Sequence, residues 1–135
     1  MKKTICLFAA VLILTSAIAF AVTAPTNTAG TGTFGTDYMR PDASGSLTYA
    51  CAGVGAGVNF SAKLSANVNL SLQSVTDGSS YLAASYHASG NKYYGTGSGD
   101  SRIYMKEITE AADAAPAAPP TLGTTVDWTG WTAVK

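Results

Sequence analysis

The chain has 135 residues, 12% of them charged and 47% hydrophobic, and its eight Lys and Arg balance eight Asp and Glu to a formal charge of +0. That length suits one domain with one core rather than two with separate cores. No basic stripe is present to neutralise phosphates and no polybasic helix to sit on anionic lipid, which excludes nucleic-acid binding and attachment to a membrane surface.

Met1, Lys2 and Lys3 form a charged start, residues 5–14 an apolar run, and Ala19 and Ala21 place small residues where a leader peptidase reads. The pattern predicts a helical secretory signal over residues 1–21, cleaved after Ala21, and an exported mature chain in the periplasm or at the cell surface. As a membrane span the run is short, and no later run is long enough to cross a bilayer. Cleavage leaves 135 − 21 = 114 residues, with six Lys and Arg against eight Asp and Glu, so the mature charge is 6 − 8 = −2. Cys6 falls within the signal and Cys51 is left alone, which rules out an intrachain disulfide in the mature chain. A lone Cys of this kind reads as a small buried apolar residue before it reads as a reactive thiol.

Residues 22–46 read as an irregular lead-in rich in Thr, Gly, Ala and Asn, with Arg40-Pro41-Asp42 forcing an extended or turned backbone. Only Phe34, Tyr38 and Met39 can anchor it. A segment so polar cannot offset its own ordering entropy and must lie on something else or stay mobile.

Residues 47–109 predict a mainly β domain, an antiparallel meander of about four to six strands. From Val54 to Leu72 the even positions are apolar and the odd ones polar or Gly, a period of two that no helix gives. The run exceeds an ordinary strand, so a break is expected near Ser65-Ala66-Asn67. Val68, Leu70 and Leu72 alternate with Asn69, Ser71 and Gln73, which predicts one face on a core and the other in water. Turns follow at Thr76-Asp77-Gly78-Ser79, Ala88-Ser89-Gly90-Asn91 and Gly97-Ser98-Gly99-Asp100, with strands over 81–87, 92–96 and 102–108 between and after them. Residues 110–123 look like a semi-extended Ala/Pro linker. Residues 124–135 hold both tryptophans, Trp128 and Trp131, which either fold back over the sheet and close the core or form a partner surface.

Catalytic constellations are missing. His87 is the sole histidine, no Gly-x-Ser-x-Gly elbow occurs, and neither metal-ligand spacing nor a cofactor motif is present. The expectation is a protein that is not an enzyme and holds no metal or cofactor. Tyr81, Tyr86, Tyr93, Tyr94 and Tyr104 crowd one small sheet, where cross-strand aromatic pairs are first of all structural.

Three stretches carry a resemblance: Ser71 to Tyr81, His87 to Gly95, and Arg102 to Lys106. A strand, an Asp-Gly hairpin, an aromatic-led strand and a His-x-x-Gly-Asn-Lys turn follow in an order similar to the sheet of some type IV pilin heads. The leader, Gly-Phe-Thr-Leu-Ile-Glu processing site and long apolar helix of a pilin are absent, and a secretory signal stands in their place. The chain thereby resembles the globular half of a split pilin of the geopilin type, whose helix is a separate short chain. The resemblance implies a pilin-head-like fold and a structural subunit of a pilus or secretion pseudopilus. Its partners would be the short helical pilin and further copies in a filament. Phe34, Tyr38 and Met39 with one face of the sheet are the expected contact, and Trp128 and Trp131 come next. The alternative is a secreted β-sandwich module that binds glycans or surfaces.

Overall fold

The computed structural model describes residues 30–33, 35, 37–50, 59–75, 77–110 and 114–135. The expected signal helix, Phe34 and Cys51 lie outside these residues. Among the described residues there is no helix, and ten strands are formed.

Three strands make the first sheet: β1 (Thr31–Thr33), β2 (Ser46–Ala50) and β3 (Asn59–Lys63), in the order β1-β2-β3. β1 runs parallel to β2, and β2 pairs antiparallel with β3, setting Tyr49 opposite Phe60. The lead-in is therefore not wholly irregular. Thr31 to Thr33 find a partner in β2, whose β-branched and aromatic residues suit pairing.

The second sheet is the meander. β4 (Val68–Ser74), β5 (Tyr81–His87), β6 (Lys92–Gly97) and β7 (Asp100–Glu107) pair each with the next, all antiparallel. A short hairpin, β8 (Thr121–Leu122) with β9 (Val126–Asp127), precedes β10 (Thr132–Ala133), which pairs antiparallel with β7 to give the order β10-β7-β6-β5-β4. The break before β4 falls where the length of the alternating run requires it, with Asn67 at φ 64, a left-handed conformation that Asn tolerates. At the first hairpin Asp77 accepts bonds from the backbone and hydroxyl of Ser79, and Gly78 takes φ 71.

Which face of β4 is buried corrects the sequence reading. Asn69, Ser71 and Gln73 are the buried residues, while Val68, Leu70 and Leu72 are half-buried. The cause lies in what covers the sheet. Register places Asn69, Tyr86 and Tyr93 in one row and Ser71, Ala84, Gly95 and Tyr104 in the next, and this face is closed by other parts of the same chain. Tyr38 packs edge-on to Tyr86 at 4.9 Å, Trp131 lies 6.3 Å from Tyr93, and Trp128 stacks on Tyr104 at 4.2 Å and 6°. Such pairs add about 0.5–1.5 kcal/mol each beyond the area they bury.

The covering segments are extended backbone, whose polar groups need partners. The polar residues of β4 and its neighbours supply them. Gln73 Nε2 donates to the Pro120 carbonyl at 3.1 Å, Ser80 Oγ to that of Gly123 at 2.9 Å, and the Ala117 amide donates to the Tyr93 hydroxyl at 2.9 Å. The Ala/Pro stretch, read from sequence as a linker, is thus laid along the sheet, with Pro120 buried and Ala117 against the core. On the outer edge of β4, Met39 exchanges backbone bonds with Leu70 in both directions, and Gly35 donates to Leu72.

Candidate functional site

Among the described residues, no strand is laid over the other face of the five-stranded sheet, whose side chains are half-buried to exposed. Residues directly opposite across a sheet share a face, so the register fixes its members. Leu70, Ser85, Tyr94 and Met105 form one row, and Leu72, Ala83 and Thr96 the next. Ile103 is two residues before Met105 on β7, and Val134 donates its amide to the Ile103 carbonyl. Tyr81, at 55% exposure, lies on the same side as Ala83.

The described residues include five large hydrophobic side chains that are exposed: Phe60, Tyr81, Tyr94, Ile103 and Val134. Phe60 belongs to the first sheet, and the remaining four gather on this one face. Scattered exposed apolar residues are ordinary, and a gathered set is a candidate interaction surface. A shallow depression of about 160 Å³ lies at its centre, floored by Ala83 and Ser85 and walled by Leu70, Tyr94 and Ile103. Small residues on the floor come from β5, the middle strand of β4-β5-β6, so the trough follows β5 between taller side chains of its neighbours. At one end the face becomes polar, with Lys92 opposite Glu107 and the exposed His87 on β5.

Tyr38, expected at a partner contact, is 3% exposed and spent inside the chain's own core. Burial, then the neighbouring Tyr93, Tyr86 and Glu110, raise its hydroxyl far above an ordinary tyrosine. Met39 is half-buried and bound by its backbone to β4. Trp128 and Trp131, half-buried, contact each other at 5.7 Å and close the core face, the domain-closing role weighed for them from sequence. Tyrosine is divided by the register: Tyr86, Tyr93 and Tyr104 pack inside, whereas Tyr81 and Tyr94 stand on the open face. Leu70, read from the sequence as part of the apolar side of its strand, and Ala83, Ile103 and Met105, which the sequence analysis did not single out, share a surface only once four strands are in register.

As for chemistry, His87 Nδ1 accepts the Ser89 amide at 3.1 Å, a local turn bond. Among the described residues no three His, Cys, Asp or Glu approach closely enough to hold a metal, and no helix is long and apolar enough to cross a membrane. The strongest electrostatic feature is Asp100 on β7. The Arg102 side chain, then the Tyr104 hydroxyl at 2.6 Å and the Arg102 backbone, hold its carboxyl well below the usual range. This cluster fixes Tyr104 under Trp128 and belongs to the core face. No protein-family model, no curated protein and no solved structure matches this chain. The functional reading therefore rests on the open face and on the sequence.

Proposed function

We propose that this chain is an exported structural subunit, the globular head of a split type IV pilin, and that it docks on a short helical pilin through the open face of its sheet. The observation that carries the reading is the division of the sheet, with one face closed by the chain's own segments and the other left uncovered by the described residues, where Tyr81, Tyr94, Ile103 and Val134 are exposed. Four strands at about 4.8 Å spacing and seven residues at about 3.3 Å rise give a face roughly 20 Å on each side. An α-helix of about 14 residues covers that length at 1.5 Å per residue. The trough along β5 accommodates one ridge of such a helix, with Leu70 on one side and Tyr94 and Ile103 on the other. Export rests on the Met1 to Ala21 pattern, and the pilin assignment on the ordered motifs of Ser71 to Lys106. No catalytic step is part of this role.

The test is co-expression with the short pilin encoded in the same genome, measuring co-purification and melting temperature. Tyr94→Asp and Ile103→Asp put charge on an exposed face and should leave the isolated chain folded. Each should lower co-purification at least tenfold, because a buried unpaired carboxylate costs more than a typical hydrogen bond contributes. Unchanged association in both variants sinks the docking face. No association of the wild type, with a high melting temperature for the chain alone, favours the free binding module.

A further inference from the structure

The first sheet ends in an edge that the described residues leave bare. β3 lies outermost in the order β1-β2-β3, and Asn59, Phe60, Ser61 and Lys63 are exposed, so neither face of the strand is covered along most of its length. The hydrogen-bond pattern shows where its backbone points. In an antiparallel pair, residues alternate between those that bond to the partner strand and those whose N–H and C=O face the other way. The Leu64 amide donates to the Gly45 carbonyl at 2.8 Å, which sets the phase: Ala62 and Phe60 bond to Leu47 and Tyr49, and Asn59, Ser61 and Lys63 turn outward. Two further bonds of β2 agree with that phase, since the Thr48 amide donates to the Gly30 carbonyl and the Ser46 carbonyl accepts from the Asp42 amide, neither towards β3.

A row of outward donors and acceptors is a template for a further strand, and native edges are commonly guarded by charges, proline or a bulge. β3 contains no proline, and its single charge, Lys63, stands at its end. Of the exposed large hydrophobic residues described, Phe60, at 44%, alone stands outside the open face. It lies opposite Tyr49, and Ala62 lies opposite Leu47. Because Tyr49 and Leu47 are fully buried, the apolar row that runs through β2 stops at an exposed ring on the edge.

We infer that β3 pairs antiparallel with β3 of a second copy of this chain, about a two-fold axis through Ser61, so that the first sheets of the two copies become one. Outward residues must face outward residues, and only the register centred on Ser61 keeps the whole of Asn59–Lys63 paired. Ser61 then meets Ser61 of the second copy, Asn59 meets Lys63, and Phe60 meets Ala62. Each match is complementary, with a ring over a methyl rather than against a second ring, and an ammonium beside an amide oxygen rather than a second ammonium. Phe60 there links Tyr49 of its own copy to Ala62 and Leu47 of the other in one apolar row. A slip towards the carboxyl end shortens the ladder and brings the two lysines together. The surface is separate from the open face of the five-stranded sheet, and the inference does not rest on a helix docking there.

The experiment is sedimentation velocity on the purified chain from about 10 μM to about 1 mM, with a thiol reductant so that a Cys51 disulfide is not counted. A concentration-dependent monomer–dimer equilibrium is expected, with hydrogen exchange at the Asn59, Ser61 and Lys63 amides slowing as the dimer forms. Because the axis passes through Ser61, a charge placed there opposes itself. Ser61→Lys and Ser61→Glu should each weaken self-association about tenfold or more, and an equimolar mixture of the two should recover it. Both substitutions fall at an exposed position and should keep the wild-type urea midpoint. If either does not fold, Phe60→Lys decides, with the same loss expected. A wild type that stays monomeric throughout overturns the inference, as does a dimer that the charge variants leave intact or a mixture that does not recover. Tyr94→Asp should leave the dimer unchanged, and loss of the dimer in that variant assigns the contact to the open face and overturns the edge pairing.

Discussion

Replacing Gly95 with Ala tests whether Trp128 is truly seated on the sheet. A Cβ at Gly95 would lie 2.8 Å from Trp128 Cζ3 and 3.0 Å from Cη2, with the Ala83 carbonyl oxygen at 3.5 Å. Carbon atoms prefer about 3.5–4.0 Å, so the indole must retreat by roughly 0.7 Å, a gap that forfeits a quarter to a half of the local dispersion energy. Its stack on Tyr104, at 4.2 Å and 6°, must shift with it, putting about 0.5–1.5 kcal/mol at risk beyond the area term. In the other direction, Ala for Gly at a position without positive φ restricts the unfolded chain and stabilises by about 0.4–1 kcal/mol. Steric loss wins because the indole also meets Trp131 at 5.7 Å and cannot slide freely. The net expectation is a destabilisation of about 1–2 kcal/mol in equilibrium urea unfolding, with altered tryptophan fluorescence in the folded state. Gly123→Ala is the control, since its Cβ would meet only the Thr125 carbonyl at 3.7 Å, and its change should stay within about 0.5 kcal/mol. If Gly95→Ala proves as stable as Gly123→Ala, the packing of Trp128 against β6 described above is refuted.

Tyr93→Phe removes the acceptor for the Ala117 amide and should cost about 1–2 kcal/mol, because it leaves a part-buried donor unmet. Hydrogen exchange at Ala117 should accelerate well beyond that at Leu72 in the same sample, and equal protection before and after the change would count against the seating of this segment. Acid should also weaken the fold. Asp100 is held below the ordinary carboxylate range by Arg102 and Tyr104, and Asp42, Asp77 and Asp127 by the Ser or Thr two residues on. A lowered folded-state value means that the contribution is complete above the unfolded value of about 3.9 and is lost as pH falls through the folded one. The urea midpoint should therefore fall below about pH 4, less steeply in Asp100→Asn, and a flat profile from pH 5 to 2 in the wild type would contradict the assignment.

The meander was legible because its signals are local. Asp77-Gly78 and Ser98-Gly99 mark hairpins by backbone preference, and alternation along 68–73 marks a strand whatever surrounds it. What alternation cannot say is which face another segment will cover. β4 was read with its apolar side inward, yet Gln73 and Ser71 are inside because Pro120 and Gly35 bring carbonyl groups to them. The same ambiguity hid the open face, since Leu70, Tyr94 and Ile103 are distant in sequence and meet only through register. Tyr38 was recognised as an anchor, but whether an anchor holds the chain to itself or to a partner depends on contacts with Tyr86 and Tyr93 that no local pattern encodes.

Residues 114–135 furnish both the lid over Tyr93 and Tyr104 and the outermost strand β10. A nascent chain makes its hairpins early, since β4 to β7 are neighbours in sequence, but it cannot seal the aromatic cluster until this stretch has emerged. Until then Gln73 and Ser80 lack their carbonyl partners and the tyrosines face water. Closure of the aromatic face is therefore postponed until residues 114–135 have been made. A chain arrested short of Trp128 stays open to proteases.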